Sequence, residues 1–181
     1  MISALEAVGA RHSYPRVTDA APTHDELARL VEAAASVADH GALRPWRLIE
    51  LRGEDRERLG AVFAKRGGSA DKPLRAPLLI AVVASRRPSG KVAGWEQDAV
   101  ASGVAHVLSL LLDEAGWGVM WRTGELTRDK KVGKLHGLGN RERLMGWLYV
   151  GGKPERSKPE KRKPLSLERH LGALGAATRS R

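Results

Sequence analysis

Apolar and polar residues follow one another along this chain with periods that separate helices from strands. Apolar positions three and four residues apart predict amphipathic helices, whereas short alternating or continuous apolar runs predict strands. The strongest helix signal is a capping-box pattern, with Thr23 and Glu26 ahead of an apolar face. We predict helices at 3–11, 24–37, 54–65, 95–115, 127–136 and 165–174.

Strands are predicted at 46–51, 77–84, 118–122 and 144–151. The second of these, PLLIAVVA, is apolar at every position, which is typical of a strand covered on both faces. The helix at 95–115 is apolar nearly all round, so we expect it to be enclosed by protein. Helices and strands alternate without a regular βαβ rhythm, and this pattern predicts an α+β domain with a mixed sheet.

The length of 181 residues suits a single domain. We assign residues 1–151 to the folded domain and 152–181 to a basic C-terminal extension of it. The chain has no Cys, which excludes thiolate catalysis, Cys-ligated zinc, iron–sulfur clusters and disulfides. Its six His residues show no metal-ligand spacing, so we expect no metal site and assign any difficult chemistry to a bound cofactor.

The net charge is +10, and residues 152–181 hold nine basic and three acidic residues. We interpret this tail as a solvated segment, with two alternatives open: contact with nucleic acid or an anionic surface, and contact with the phosphate of a small ligand. The aromatic residues lie in apolar runs away from the tail, which disfavours nucleic acid. The longest uncharged stretch, 99–112, is shorter than the roughly 17–25 residues of a membrane span, and no targeting segment is present, so we expect a cytoplasmic protein with no membrane partner.

Common chemistry-bearing motifs are missing: the phosphate-binding loop, the dinucleotide fingerprint, the zinc-protease motif and the nucleophile elbow. Three polar segments remain at the ends of predicted elements, and they carry the candidate chemistry. These are RHSYPR at 11–16, DHGALRPW at 39–46 and WRTG at 121–124.

The order and spacing of these segments resemble the FMN-dependent nitroreductase family, in particular its compact subgroup. RHSYPR resembles the family's RRSxxR, ADHGALRPWRL its loop and following strand, and GWGVMWRTG and LMGWLYVGGKP its last two strands. The likeness runs from about residue 4 to residue 154. It implies an α+β, nitroreductase-like fold with a mixed, mainly antiparallel sheet flanked by helices, and a homodimer that holds FMN at the subunit interface.

The resemblance also implies which residues contact FMN. Arg11, His12 and Ser13 match the segment that contacts the phosphate, the ribityl chain and the ring edge, with His12 in place of the usual second Arg. Arginine suits a phosphate because its guanidinium is planar and always charged. The other implied contacts are Ser36, His40 reaching from the partner subunit, Trp121, Arg122 and Thr123 along the ring, and Arg162 or Lys163 at the phosphate.

The function that the resemblance implies is hydride transfer from NAD(P)H through flavin N5 to a nitroaromatic, a quinone or a similar small-molecule acceptor, in ping-pong order. We assign no catalytic acid or base, because hydride transfer requires none. Two alternatives stay open: a flavin-binding relative without nitroreductase activity, with a sensor, storage or dehydrogenase role, and a nucleic-acid-binding module that acts through the basic tail.

Overall fold

A computed structural model describes residues 3–155 and 163–174 of the chain. In these residues the α-helices are α1 (Ala4–Ala10), α2 (His24–Ala34), α3 (Glu54–Ala64), α4 (Gly94–Glu114) and α5 (Lys130–Leu135). The strands are β1 (Trp46–Leu51), β2 (Leu78–Ser85), β3 (Trp117–Arg122) and β4 (Glu142–Gly152). Short 3-10 turns cover His40–Ala42, Lys72–Arg75, Glu125–Arg128 and Leu167–Arg169.

The strands form one sheet in the order β1-β2-β4-β3, and the neighbouring strands pair antiparallel. β2 lies between β1 and β4, and all of its residues are buried. Leu78 and Ile80 join the apolar cluster on one face, and Leu79 and Ala81 join the cluster on the other. Helix-covered faces on both sides explain the continuous apolar run of β2. The α+β class is confirmed.

Helices cover the two faces of the sheet unequally. On the first face, α2 and α4 contribute buried side chains that include Leu27, Leu108 and Leu112. On the second face, α3 contributes Phe63 and the short α5 contributes Val132. The second face is therefore more open towards the end of β3, and a cleft lies there.

Protein encloses α4 on only one side, whereas the sequence predicts enclosure all round. Val104 and Leu108 are fully buried under the sheet, whereas Val107 and Leu111 are half-buried and His106 is exposed. A helix that is apolar nearly all round normally has protein on every side. Within the described residues, one chain covers only part of this helix.

Two helix predictions need correction. The predicted helix at 127–136 is interrupted at Asp129, whose carboxylate accepts hydrogen bonds from the backbone N–H groups of Lys131 and Val132 and so starts α5 as an N-cap. The predicted helix at 165–174 is wrong, since that part of the chain holds only the turn Leu167–Arg169. Its apolar side chains are exposed, and an isolated helix this short gains little without packing.

No helix among residues 3–155 and 163–174 is long and apolar enough to cross a membrane.

Candidate active site

A cleft of about 580 Å³ opens at the end of β3, beside the second face of the sheet. The sequence analysis singled out three of its lining residues, Trp121, Arg122 and Thr123. Aromatic and basic residues make up half of the remaining lining residues. They are Phe63, Trp147 and Tyr149, and Arg66, Lys72 and Arg75.

β3 delivers neighbouring side chains to opposite faces of the sheet. Trp121 packs against the α4 side, where its ring meets His106 edge-on at 5.1 Å between centroids. Arg122 points to the other side, with its guanidinium carbon 5.1 Å from the ring centre of Tyr149. This cation–π contact fixes a positive charge on the wall of the cleft. Burial raises the pKa of Tyr149, so its hydroxyl stays protonated at neutral pH.

On the cleft side of β3, the buried Arg122 Nε has no hydrogen-bond partner among the described residues, and the indole Nε1 of Trp121 is likewise unpaired on the α4 side. Buried donors are nearly always paired in folded proteins, because leaving one unpaired costs the full desolvation of the group. A planar ligand with hydrogen-bond acceptors and negative charge fits this wall. The wall therefore has the chemistry that an anionic cofactor requires.

Gly146 of β4 allows the end of β3 to lie close to the β4 backbone. An added Cβ at Gly146 would lie 2.5 Å from the carbonyl oxygen of Arg122 and 2.7 Å from Nε1 of Trp121. Its φ of +129° is also a conformation that side chains disfavour. The strand is bulged here, because Val82 pairs with Gly146 and Val83 with Leu144. Sequence reasoning missed this residue, since only the fold shows which backbone approaches it.

The basic residues of the turn before β2 were also missed. Arg66, Lys72 and Arg75 all line the cleft, although the sequence analysis singled out none of them. Arg66 donates to Asp129 at 2.6 Å. Hydrogen bonds from the backbone of Val132 and from Arg66 outweigh the opposing effect of burial and lower the pKa of Asp129. The available signal was two cations, Lys72 and Arg75, directly ahead of an apolar strand.

The N-terminal segment runs beside β3 without lining the cleft. The backbone N–H of Tyr14 donates to the carbonyl of Val119, and Arg122 donates to the carbonyl of Pro15 at 3.4 Å. Arg11 ends α1 and is half-buried, as is His12, and Ser13 is exposed. The structure thus brings this segment next to the strand that carries the cleft residues.

Ser36 and His40 lie elsewhere on the chain. Ser36 is exposed just after α2, and His40 contacts Glu96 at 3.0 Å from its Nδ1. The hydrogen bond from His40 lowers the pKa of Glu96. His40 lines a separate hollow together with Trp95, so one chain does not bring it to the cleft. Of the two tail candidates, Lys163 is exposed and Arg162 lies outside the described residues.

Among the residues that the structure describes, no three His, Asp or Glu side chains come together as metal ligands would.

Sequence comparison assigns the chain to a family. The profile of the Nitroreductase family matches residues 8–67 and 61–152. The chain belongs to the nitroreductase family. YdjA of Escherichia coli strain K12 is 34% identical over 161 residues, covering 83% of this chain and 88% of YdjA. A Haemophilus influenzae relative is 27% identical over 171 residues, covering 88% of this chain and 93% of the relative. Both relatives are classed by name with the NAD(P)H nitroreductases.

Solved structures of nitroreductases share the fold. A nitroreductase-like family protein from Bacillus cereus superposes with a TM-score of 0.81 at 24% identity, covering 96% of each chain. A variant of NfnB from Sphigopyxis sp. strain HMH, a nitroreductase described as FMN and NADPH-dependent, superposes with a TM-score of 0.74 at 21% identity. That match covers 96% of this chain and 100% of NfnB. The predicted nitroreductase resemblance and fold are confirmed, and with them the prediction of an oxidoreductase.

Proposed function

We propose that this nitroreductase holds FMN in the cleft at the end of β3 and passes hydride from NAD(P)H to a nitroaromatic, a quinone or a similar acceptor. The observation that carries the proposal is the wall of the cleft. It combines aromatic surface, convergent cations and the buried N–H donor Arg122 Nε, which has no partner among the described residues. Bound FMN would supply the redox chemistry that none of the side chains can provide.

The cleft residues have electrostatic and geometric roles in this proposal. Arg122, Lys72 and Arg75 supply positive charge, which favours a phosphate and any negative charge on the bound ring. The aromatic side chains Trp147 and Tyr149 form an apolar wall that excludes water from one side. Arg11, His12 and Ser13 lie beside β3 and are proposed to extend the contacts beyond the cleft. No side chain is required to move a proton for the hydride step.

Two kinds of support come from related proteins. YdjA, at 34% identity, is classed by its name with enzymes that use NAD(P)H. NfnB, which shares the fold, is described as FMN and NADPH-dependent. We assign both cofactors to this chain on the joint support of these names and the cleft.

We further propose that the active species is a homodimer. Large apolar side chains are exposed on one chain, including Leu5 at 84%, Trp95 at 72% and Leu171 at 75%. Exposed apolar surface of this extent, together with the half-covered face of α4, is typical of a protein interface. In a dimer, Ser36 and His40 of one chain would complete the site of the other, which fits their separation from the cleft in a single chain.

The decisive test is a titration of the purified protein with FMN, followed by flavin fluorescence. We expect saturable binding, a yellow complex and oxidation of NADH or NADPH that depends on a nitroaromatic or quinone acceptor. FMN binding without NAD(P)H oxidation would favour a flavin-binding relative of different activity. A protein that binds no FMN would contradict the proposal.

A further inference from the structure

A buried histidine lies behind the cleft and contacts one of its aromatic walls. His136 is 6% exposed and lies at the end of α5. Its Nε2 is 3.0 Å from the indole Nε1 of Trp147, and its Nδ1 is 2.8 Å from the carbonyl oxygen of Val132. Both ring nitrogens are therefore hydrogen-bonded inside the protein.

The chemistry of these partners determines the state of the imidazole. An indole N–H can only donate, and a carbonyl oxygen can only accept. Nε2 of His136 must therefore be the unprotonated acceptor, and Nδ1 must carry the hydrogen. Burial, aided by the nearby positive charge of Arg47, lowers the pKa of His136 and favours this neutral form.

The charged groups around His136 are held in place by other contacts. Arg47 of β1 donates to the backbone carbonyls of His136 and Gly137 and forms a two-point ion pair with Glu142 at the start of β4. At the other end of α5, Asp129 is paired with Arg66. These neighbouring charges are paired with one another, so the orientation of the imidazole is set by its own hydrogen bonds to Val132 and Trp147.

Trp147 connects this histidine with the cleft. Trp147 is 3% exposed, pairs with Arg122 across the two strands and packs edge-on against Phe63, with 5.5 Å between ring centroids. Trp147, Arg122 and Phe63 all line the cleft, whereas His136 does not. Residues that pair directly in antiparallel strands point to the same face, so a rotation of the indole would change the surroundings of Arg122.

We propose that His136 is a positioning residue for the flavin: by accepting the Trp147 N–H, it holds the aromatic wall of the cleft in the orientation that receives the ring. This inference rests on the proposed function, because it takes the ligand of the cleft to be FMN. Without the acceptor, the indole would retain a buried, unpaired donor, and the ring would turn or admit water.

The test compares FMN affinity in four variants. We expect His136→Leu to raise the FMN dissociation constant about five- to tenfold, the effect of losing one buried hydrogen bond. His136→Gln offers an amide oxygen near the position of Nε2, so it should keep the constant within about twofold of the wild-type value. Trp147→Phe removes the N–H, and adding His136→Leu to Trp147→Phe should weaken binding no further, because both changes remove the same bond.

Val132→Ala is the matched control. It truncates a buried side chain on the same helix and lowers the melting temperature, but leaves the carbonyl that His136 binds. We expect it to leave the FMN dissociation constant unchanged. Equal weakening by Val132→Ala and His136→Leu would reduce the role of His136 to general stability and overturn the proposal, as would unchanged FMN affinity in His136→Leu.

Nuclear magnetic resonance of the FMN-free protein separates this inference from the proposed function. The indole N–H signal of Trp147, assigned by its loss in Trp147→Phe, should exchange slowly with solvent and shift in His136→Leu. If the signal exchanges fast and has the same chemical shift in His136→Leu, the hydrogen bond between Trp147 and His136 does not form, and the proposal fails. A well-formed pair in a protein that binds no FMN would overturn the proposed function and, with it, the positioning role.

Discussion

At the scale of single residues, Arg122 links the cleft to the N-terminal segment. Its guanidinium lies over Tyr149, donates to the carbonyl of Pro15 and keeps one buried N–H without a partner in the described chain. The side chain therefore arrives at the cleft already ordered. A ligand that accepts the remaining N–H would gain a charge-assisted hydrogen bond with little further loss of side-chain freedom.

Replacement of this charge should weaken the cofactor complex selectively. We expect Arg122→Gln to reduce the free energy of FMN binding by about 1.5–3 kcal/mol, the usual worth of a hydrogen bond to a charged group. Flavin fluorescence titration measures the change. Arg58→Gln is the control, because Arg58 lies on the exposed side of α3, where it pairs with Glu54 and Asp55. Equal FMN affinity of the two variants would contradict the assignment of Arg122.

His136 predicts a pH dependence of stability. Its pKa in the folded protein is lowered from the ordinary value of 6.5, so the unfolded chain binds the proton more tightly. The stabilisation is fully present above pH 6.5 and is lost as the pH falls through the folded pKa, at up to about 1.4 kcal/mol per pH unit for one proton. Urea denaturation between pH 7.5 and 5 should show a steeper loss in the wild type than in His136→Gln. Parallel curves for both proteins would contradict this account.

Glu142 titrates in a separate range. The hydrogen bonds from Arg47 lower the pKa of Glu142 to about 2. This contribution is present above pH 4.5, the ordinary value for a glutamate, and is lost only as the pH falls towards 2. It therefore does not interfere with the range in which His136 is tested.

At the scale of elements, the bulge in β4 determines how closely β3 can approach β4. We expect Gly146→Ala to destabilise the protein by about 1–3 kcal/mol from the unfavourable backbone conformation alone, with the close contact to the Arg122 carbonyl adding to it. Chemical denaturation measures the change. Gly9→Ala is the matched control, since Gly9 lies within α1 with no heavy atom near its added Cβ, and it should stabilise by about 0.5–1 kcal/mol. A neutral Gly146→Ala would contradict the close approach.

The same elements show what the sequence could predict. The capping box of Thr23 and Glu26 and the buried strand β2 are local patterns, so the sequence predicts both, and the structure confirms them. The sequence does not predict the break at Asp129, because an aspartate within a periodic apolar pattern can also lie inside a helix. Only the structure shows that the turn Glu125–Arg128 ends before Asp129 and that a separate helix begins after it. The periodic leucines of 165–174 predicted a helix, but periodicity does not provide the surface that a helix needs to pack against.

The sequence likewise predicts those residues of the candidate site that belong to a local pattern, but not those that only the fold brings together. Trp121, Arg122 and Thr123 end an apolar strand, and this local pattern led to the cleft. Lys72 and Arg75 reach the cleft because the turn that carries them leads into β2, which runs in the same direction as β3 on the other side of β4; Leu78 and Val119 both pair with Val150. His136 was unremarkable in the sequence, since only the fold brings it to Trp147.

At the scale of the whole molecule, the exposed apolar side chains of one chain predict its assembly. Leu5 and Val8 are exposed on α1, which buries none of its residues within one chain. We expect the wild type to sediment as a dimer, and the double variant Leu5→Ser with Val8→Ser to shift towards monomer and lose FMN. Analytical ultracentrifugation with detection at the flavin absorbance measures both effects.

Leu135→Ser is the control for that experiment, because Leu135 is a partly exposed leucine on the opposite face of the sheet. It should leave both the mass and the flavin content unchanged. A monomeric wild type that retains its full flavin content would contradict the dimeric site. Dimers of one wild-type and one His40→Ala chain test the sharing of residues, since only one of their two sites should be impaired.

The bulge has a consequence for the length of β4. Met145 and Gly146 follow one another on the same side of the sheet, because Met145 has no partner on β2 and Gly146 faces Val82. Deleting Met145 would restore strict alternation, keep Gly146 opposite the Arg122 carbonyl and leave Trp147, Leu148 and Tyr149 each on the face they occupy now. A chain one residue shorter at this point should thus fold with its inside and outside unchanged, whereas a one-residue deletion between Trp147 and Val150 would turn part of the strand inside out.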